Sequence, residues 1–161
     1  MITRVARPED AAGIAEIWNR YIRDTAVTFT TVEKTQAGLA ADIAARQAQG
    51  LFWVAEAADG MLGFATAFAF RGGPGYAHTL EHTVQIAPAA RGRGVGRVLM
   101  ARLEASARAA GAHVLVAAVS GENAQGRAFH AAIGFEEVGR MPEVGRKFGR
   151  WMDLVLLQKT L

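Results

Sequence analysis

Between Glu81 and Leu99 the chain runs through a short strand-like segment and Pro88. It then passes through Arg91-Gly92-Arg93-Gly94-Val95-Gly96 directly into an amphipathic helix. A strand ending in a glycine-rich turn at a helix start leaves the first N–H groups of the helix pointing outward with partial positive charge. Such a turn suits a diphosphate-type anion. The glycines allow close approach of the backbone, and Arg91, Arg93 and Arg97 add guanidinium charge. A nucleoside-triphosphate loop would need Gly-Lys followed by Ser or Thr, and no lysine here follows a glycine. A dinucleotide fingerprint would need a third glycine where Arg97 or Leu99 stands. What remains is Arg-x-x-Gly-x-Gly after a strand and before a helix, a pattern that taken alone also fits an Arg/Gly-rich surface turn.

The flanking sequence builds an α/β chain around this turn. Ile2–Arg7 reads as a strand closed by Pro8, and Ile14, Ile17, Trp18, Tyr21 and Ile22 recur at helical spacing. Ala37–Gln49 is an alanine-rich helix stopped by Gly50. Leu51–Ala57 and Met61–Phe70 are strands joined at Asp59-Gly60, a hairpin signal. After the central strand and loop, Val95, Val98, Leu99, Leu103, Ala107 and Ala110 mark one buried helix face. Val114–Val119 is an unbroken apolar run, as expected of a strand covered on both faces. Asn123–Ile133 is a helix, and Phe135–Arg140 and Trp151–Gln158 are the last strands. No repeat, linker or low-complexity tract divides the 161 residues, so one domain, 1–161, is expected.

Composition narrows the function classes. Hydrophobic content of 51% and charged content of 20% fit a folded globular chain. There is no cysteine, which removes thiolate chemistry and disulfides. No apolar run approaches a membrane span, and the first residues lack a signal core, so a cytoplasmic protein is expected. Net charge is +3, but only three of the 18 basic residues are lysine and the arginines are dispersed. That argues against a nucleic-acid partner and for anionic small molecules. His78, His82 and His113 lack ligand spacing, so no metal is expected.

Five stretches carry a resemblance. They are Arg71 with its Gly/Pro loop to Tyr76, Thr79–Val84, Arg91–Gly96, Glu122–Ala124 with Phe129–Phe135, and the long Met141–Leu154. Together they resemble the GCN5-related N-acetyltransferase (GNAT) superfamily. Within it they are most similar to phosphinothricin and methionine sulfone/sulfoximine N-acetyltransferases. The resemblance implies the order βααβββαβαββ, with a mixed, mostly antiparallel sheet whose central strands are bulged and splayed and whose two faces carry helices. It implies acetyl-CoA as cosubstrate, a small amine or amino acid as acceptor, a homodimer, and direct attack in a ternary complex.

Residue by residue, the resemblance places the cofactor on Arg91, Gly92, Arg93, Gly94, Val95, Gly96 and Arg97. Backbone groups of Val84, Gln85 and Ile86 and the side chain of Asn123 complete that site. Glu81 maps onto the proposed base, and burial in mid-sheet would raise its pKa towards that task. A carboxylate there also reads as an arginine's partner or as a group binding the substrate ammonium. His130, spaced seven from Asn123 and three from Arg127 on one helix face, maps onto the residue that protonates the thiolate, or it binds substrate. Asn123 also reads as a plain N-cap. Arg71 suits an α-carboxylate, with Phe29, Gly73 and Tyr76 shaping the acceptor side. Ala77 departs from the family, where a larger and often basic residue is usual. Polyamine, aminoglycoside or protein N-terminal acceptors, and a non-catalytic acyl-CoA-binding module, remain as alternatives.

Overall fold

The computed structural model describes residues 1–161. The elements run β1 (Ile2–Val5), α1 (Ala11–Asp24), α2 (Gln36–Gln47), β2 (Phe52–Ala57), β3 (Gly60–Ala69) and β4 (Thr79–Ile86). They continue with α3 (Val95–Ala109), β5 (Val114–Ser120), α4 (Ala124–Ala132), β6 (Glu136–Lys147) and β7 (Arg150–Thr160). The strands form one seven-stranded sheet ordered β1-β2-β3-β4-β5-β7-β6. Every neighbouring pair is antiparallel except β4 with β5.

Strand alternation sends side chains to two separate cores. On one face Phe52, Val54 and Phe64 meet Ile14, Ile17 and Tyr21 of α1 and Leu39 and Ile43 of α2. On the other, Ala55, Ala65, Ala67, Leu115 and Ala117 meet Leu99, Met100 and Leu103 of α3, with Phe135 and Leu157 closing the layer. Two helix starts are capped by their own side chains. Thr35 caps α2 by accepting the Gly38 N–H, and Asn123 caps α4 by accepting the Gly126 N–H at 2.8 Å.

The expected order of elements and the two helix-bearing faces are present, with one correction at the C-terminal hairpin. The sequence reading ended the sixth strand at Arg140, whereas β6 continues to Lys147. Met141 pairs with Leu154 and Gly145 with Met152, so three residues of β6 stand opposite Asp153 alone. Pro142 and the left-handed Glu143 (φ 56°) hide this strand from a period-two pattern. Asp153 holds the irregular stretch by accepting the Glu143 N–H at 3.0 Å and the Arg140 Nε–H at 2.9 Å.

Candidate active site

The parallel pair at the centre of the sheet is incomplete. β4 pairs with β5 only over Thr79–His82 and Val114–Ala117. On its other side β4 stays in unbroken register with β3 from Leu80 to Ile86, so the expected bulge is not seen on that side. The Ala87 N–H bonds the Leu62 carbonyl and the Phe70 N–H bonds the Thr79 carbonyl. By antiparallel alternation, Glu81, Thr83 and Gln85 then turn their backbone groups to β3, and His82, Val84 and Ile86 turn theirs towards β5. Past His82 the strands have parted. The N–H groups of Val84 and Ile86 face a gap, while Gln85 can contribute only its side chain there. Tyr21 of α1 closes one end of the gap by donating its hydroxyl to the Ile86 carbonyl at 2.6 Å.

A cavity of about 540 Å³ opens from this gap on the α3 and α4 side. Its walls include Val84, Gln85, Ile86, Arg91, Gly92, Gly94, Val95, Gly96, Arg97 and Asn123. Gly92 (φ 73°) and Gly94 (φ 77°) both take the left-handed conformation, which rolls the chain so that α3 starts without a side-chain cap. The backbone N–H groups from Gly92 to Arg97 meet no acceptor within the chain. None of Arg91, Arg93 and Arg97 pairs with a carboxylate. Gly96 has a different duty, since a Cβ there would lie 3.2 Å from the Phe129 ring and would push α3 off α4. Arg91 is anchored by donating to the Tyr21 hydroxyl at 2.8 Å.

A second cavity of about 370 Å³ lies on the α1 and α2 side and shares Val27, Val84, Gln85, Asn123 and His130 with the first. Glu81 lines it, half buried and without a hydrogen-bond or ion-pair partner in the chain, so it is not an arginine's structural mate. Burial raises its pKa above the usual carboxylate range. Trp18, Phe29 and Lys34 share that cavity, and the Lys34 ammonium stands 4.8 Å from the centre of the Trp18 ring.

The segment carrying Phe29 is fixed from β6. Lys147, 3% exposed, donates to the carbonyls of Thr25 and Thr28 at 2.6 and 2.7 Å. Phe29 itself packs against Gly145, where any Cβ would collide with the ring.

His130 lines both cavities, yet its two ring nitrogens are already engaged. Nδ1 bonds the Gly126 carbonyl at 2.7 Å, and Nε2 meets Nε2 of His82 at 3.0 Å. Asn123 spends its carbonyl oxygen on the α4 cap while still lining both cavities, so its amide NH₂ remains to serve a ligand.

The geometry can be set beside known proteins. The profile of the acetyltransferase (GNAT) domain matches residues 3–156. The chain belongs to the GNAT acetyltransferase family. It is 36% identical to the L-amino acid N-acyltransferase MnaT of Escherichia coli, over 100% of this chain and 94% of that protein. It is 38% identical to an L-methionine sulfoximine/L-methionine sulfone acetyltransferase of Pseudomonas aeruginosa, over 98% and 93%. An acetyltransferase from Salmonella typhimurium, solved with acetyl-CoA, superposes with a TM-score of 0.94 at 37% identity, covering 100% of this chain and 94% of that one.

In this GNAT chain every expected cofactor residue but Arg93 lines one cavity, Arg93 standing exposed on the turn outside it, and Glu81 and Phe29 share the other cavity. Arg71, Gly73 and Tyr76 are not brought to it. They sit on the exposed loop between β3 and β4, where the Arg71 guanidinium stacks 5.4 Å from the Tyr76 ring centre. Sequence reasoning passed over Tyr21, Lys34, His82 and Lys147. Tyr21 belonged to an apolar helical stripe, and nothing local shows that its hydroxyl crosses to β4. His82 faces away from Glu81, as strand alternation requires, but its partner on α4 is 48 residues away.

Proposed function

We propose that the protein acetylates the α-amino group of a small amino acid or analogue, drawing the acetyl group from acetyl-CoA. The observation that carries this reading is the continuous passage from the free amides of the Gly92–Arg97 turn, along the open edge of β4, to the unpaired Glu81 carboxylate. A coenzyme A thioester supplies a carbonyl activated for attack by an amine. The turn and its arginines hold the diphosphate. The Val84 and Ile86 N–H groups bind the amide arm and stabilise negative charge developing on the carbonyl oxygen. Glu81 takes a proton from the amine on the opposite side of the gap. Attack is direct within a ternary complex, as no cysteine is present to form an acyl-enzyme.

The anionic end of the acceptor meets one cation on the cavity wall, Lys34, and the proposal brings in a second, Arg71, by movement of its exposed β3–β4 loop. The relatives' amino-acid acceptors favour this assignment over a polycationic amine. Lys34→Met and Arg71→Met are each expected to raise the acceptor KM about tenfold, the worth of one charged hydrogen bond, with the acetyl-CoA KM unchanged. Steady-state kinetics on L-methionine sulfone measures this. Unchanged acceptor KM in both variants would remove the carboxylate clamp from the proposal.

The chain is also proposed to pair with a second copy. β6 is an edge strand, and Val138, Met141, Val144, Phe148 and Trp151 of the β6–β7 hairpin are large apolar residues left exposed. Sedimentation at micromolar concentration is expected to give a dimer mass, lost in a Trp151→Glu/Val144→Glu double variant. A monomer mass for the unaltered protein would refute the pairing.

A further inference from the structure

Val116 O, His82, His130 and Gly126 O form a chain with a carbonyl acceptor at each end: 2.9 Å to His82 Nδ1, 3.0 Å between the two Nε2 atoms, and 2.7 Å from His130 Nδ1. Carbonyl oxygens only accept, so both Nδ1 atoms must carry hydrogen. The central N···N contact needs a hydrogen as well. Three hydrogen bonds require three protons, and two neutral imidazoles bring two.

We propose that the His82–His130 pair holds a third proton between its facing Nε2 atoms, and that His82 is the positioning residue that keeps this proton on the cleft-lining His130 for the leaving thiolate. The second half rests on the acetyl-transfer reading; the proton count does not.

The surroundings suit a proton that is held but not trapped. Both rings are 6% exposed, and the Phe129 and Phe135 rings lie 5.2 and 5.3 Å from His130, centre to centre. No carboxylate is hydrogen-bonded to either imidazole. On β4, Glu81 points to the other face of the sheet, and the β5 residues beside the pair, Val116 and Ala117, are uncharged. On α4, Arg127 reaches towards Glu137. On β7, the Lys159 ammonium lies 5.9 Å from the centre of Phe135 and is committed to Glu104 and the Ile133 carbonyl. Arg91 and Arg97 stand on the wall of the larger cavity. Burial disfavours charge on both rings, and a doubly protonated pair would set two N–H donors face to face across the 3.0 Å contact with no acceptor between them. The shared hydrogen bond opposes that loss for the first proton alone.

The proton balance closes. The amine nitrogen bonds to the acetyl carbon and gives one hydrogen to Glu81. The carbon–sulfur bond breaks, and the sulfur takes the third proton of the pair, leaving two neutral rings without their central bond. Glu81 then releases its proton to solvent, from which the pair regains its own.

Nuclear magnetic resonance of the whole protein labelled with ¹⁵N-histidine tests the count without coenzyme or turnover. Over the pH range of activity, both Nδ1 atoms are expected to be protonated, with one further proton shared by the two Nε2 atoms. A bare Nδ1 on either ring, or two bare Nε2 atoms, would overturn the proposal. The positioning role is tested with His82→Gln, whose carboxamide can still bond His130. It is expected to lower kcat about tenfold and to shift the pH profile, with the acetyl-CoA KM unchanged. An unshifted pH profile would refute that role. Failure of the unaltered protein to acetylate amino acids would instead sink the proposed function and leave the proton count readable.

Discussion

Glu81→Gln is expected to lower kcat by about 100- to 10,000-fold, the usual worth of a positioned general base, while acetyl-CoA binds as before. The separation follows from the geometry, because Glu81 lines the cavity on the α1 side and none of the diphosphate-binding groups do. The pH dependence has a definite sign. Burial raises the Glu81 pKa, so the acid limb of kcat/KM lies above the ordinary carboxylate range, and rate rises as pH climbs through it. In Glu81→Gln that limb disappears. A raised pKa in the folded state also means that ionisation of Glu81 opposes folding. Its contribution to stability is full below the ordinary carboxyl value and is lost as pH rises through the raised one. The glutamine variant cannot ionise and is therefore expected to melt no lower than the parent at neutral pH. Kinetics with paired thermal unfolding checks both; equal, mild losses in kcat and acetyl-CoA affinity would reduce Glu81 to a structural role.

Gly94→Val is expected to weaken acetyl-CoA binding by about 100-fold with little change in melting temperature. At φ 77° a β-branched residue carries strain of order 1–3 kcal/mol. The loop escapes that strain by leaving the conformation that aims its amides outward, and the ligand must restore it. Any Cβ at this position also projects into open space beside the diphosphate site. Gly94 is exposed and belongs to neither core, while its neighbour Val95 is a core residue whose side chain keeps its place, so the fold keeps its packing. Calorimetry measures the affinity directly, and wild-type binding by this variant would show that the amides do not hold the anion.

The sequence made the fold legible where a single local rule governed it. Helical spacing in α1, the apolar run of β5 and the glycine-rich entry to α3 each have one short-range cause. The β6 extension escaped because Pro142 and Glu143 interrupt a strand that only Asp153, on the partner strand, makes continuous. The site divides in the same way. The anion turn lies within one stretch of chain and could be read from it. The His82–His130 contact, the Tyr21 bridge to Ile86 and the Lys147 anchor under Thr25–Thr28 each join segments far apart in sequence. No local pattern encodes them. The splay of β4 from β5 belongs to that second group, since an apolar run reads identically whether its edge is paired or open.

Mass spectrometry of the products formed from acetyl-CoA and L-methionine sulfone or sulfoximine tests most directly whether the two cavities work as one passage. The expected result is an amino acid acetylated on its α-nitrogen, formed in step with free coenzyme A thiol. Coenzyme bound tightly at the turn, yet no acetylated amino acid from any acceptor of this class, would contradict it.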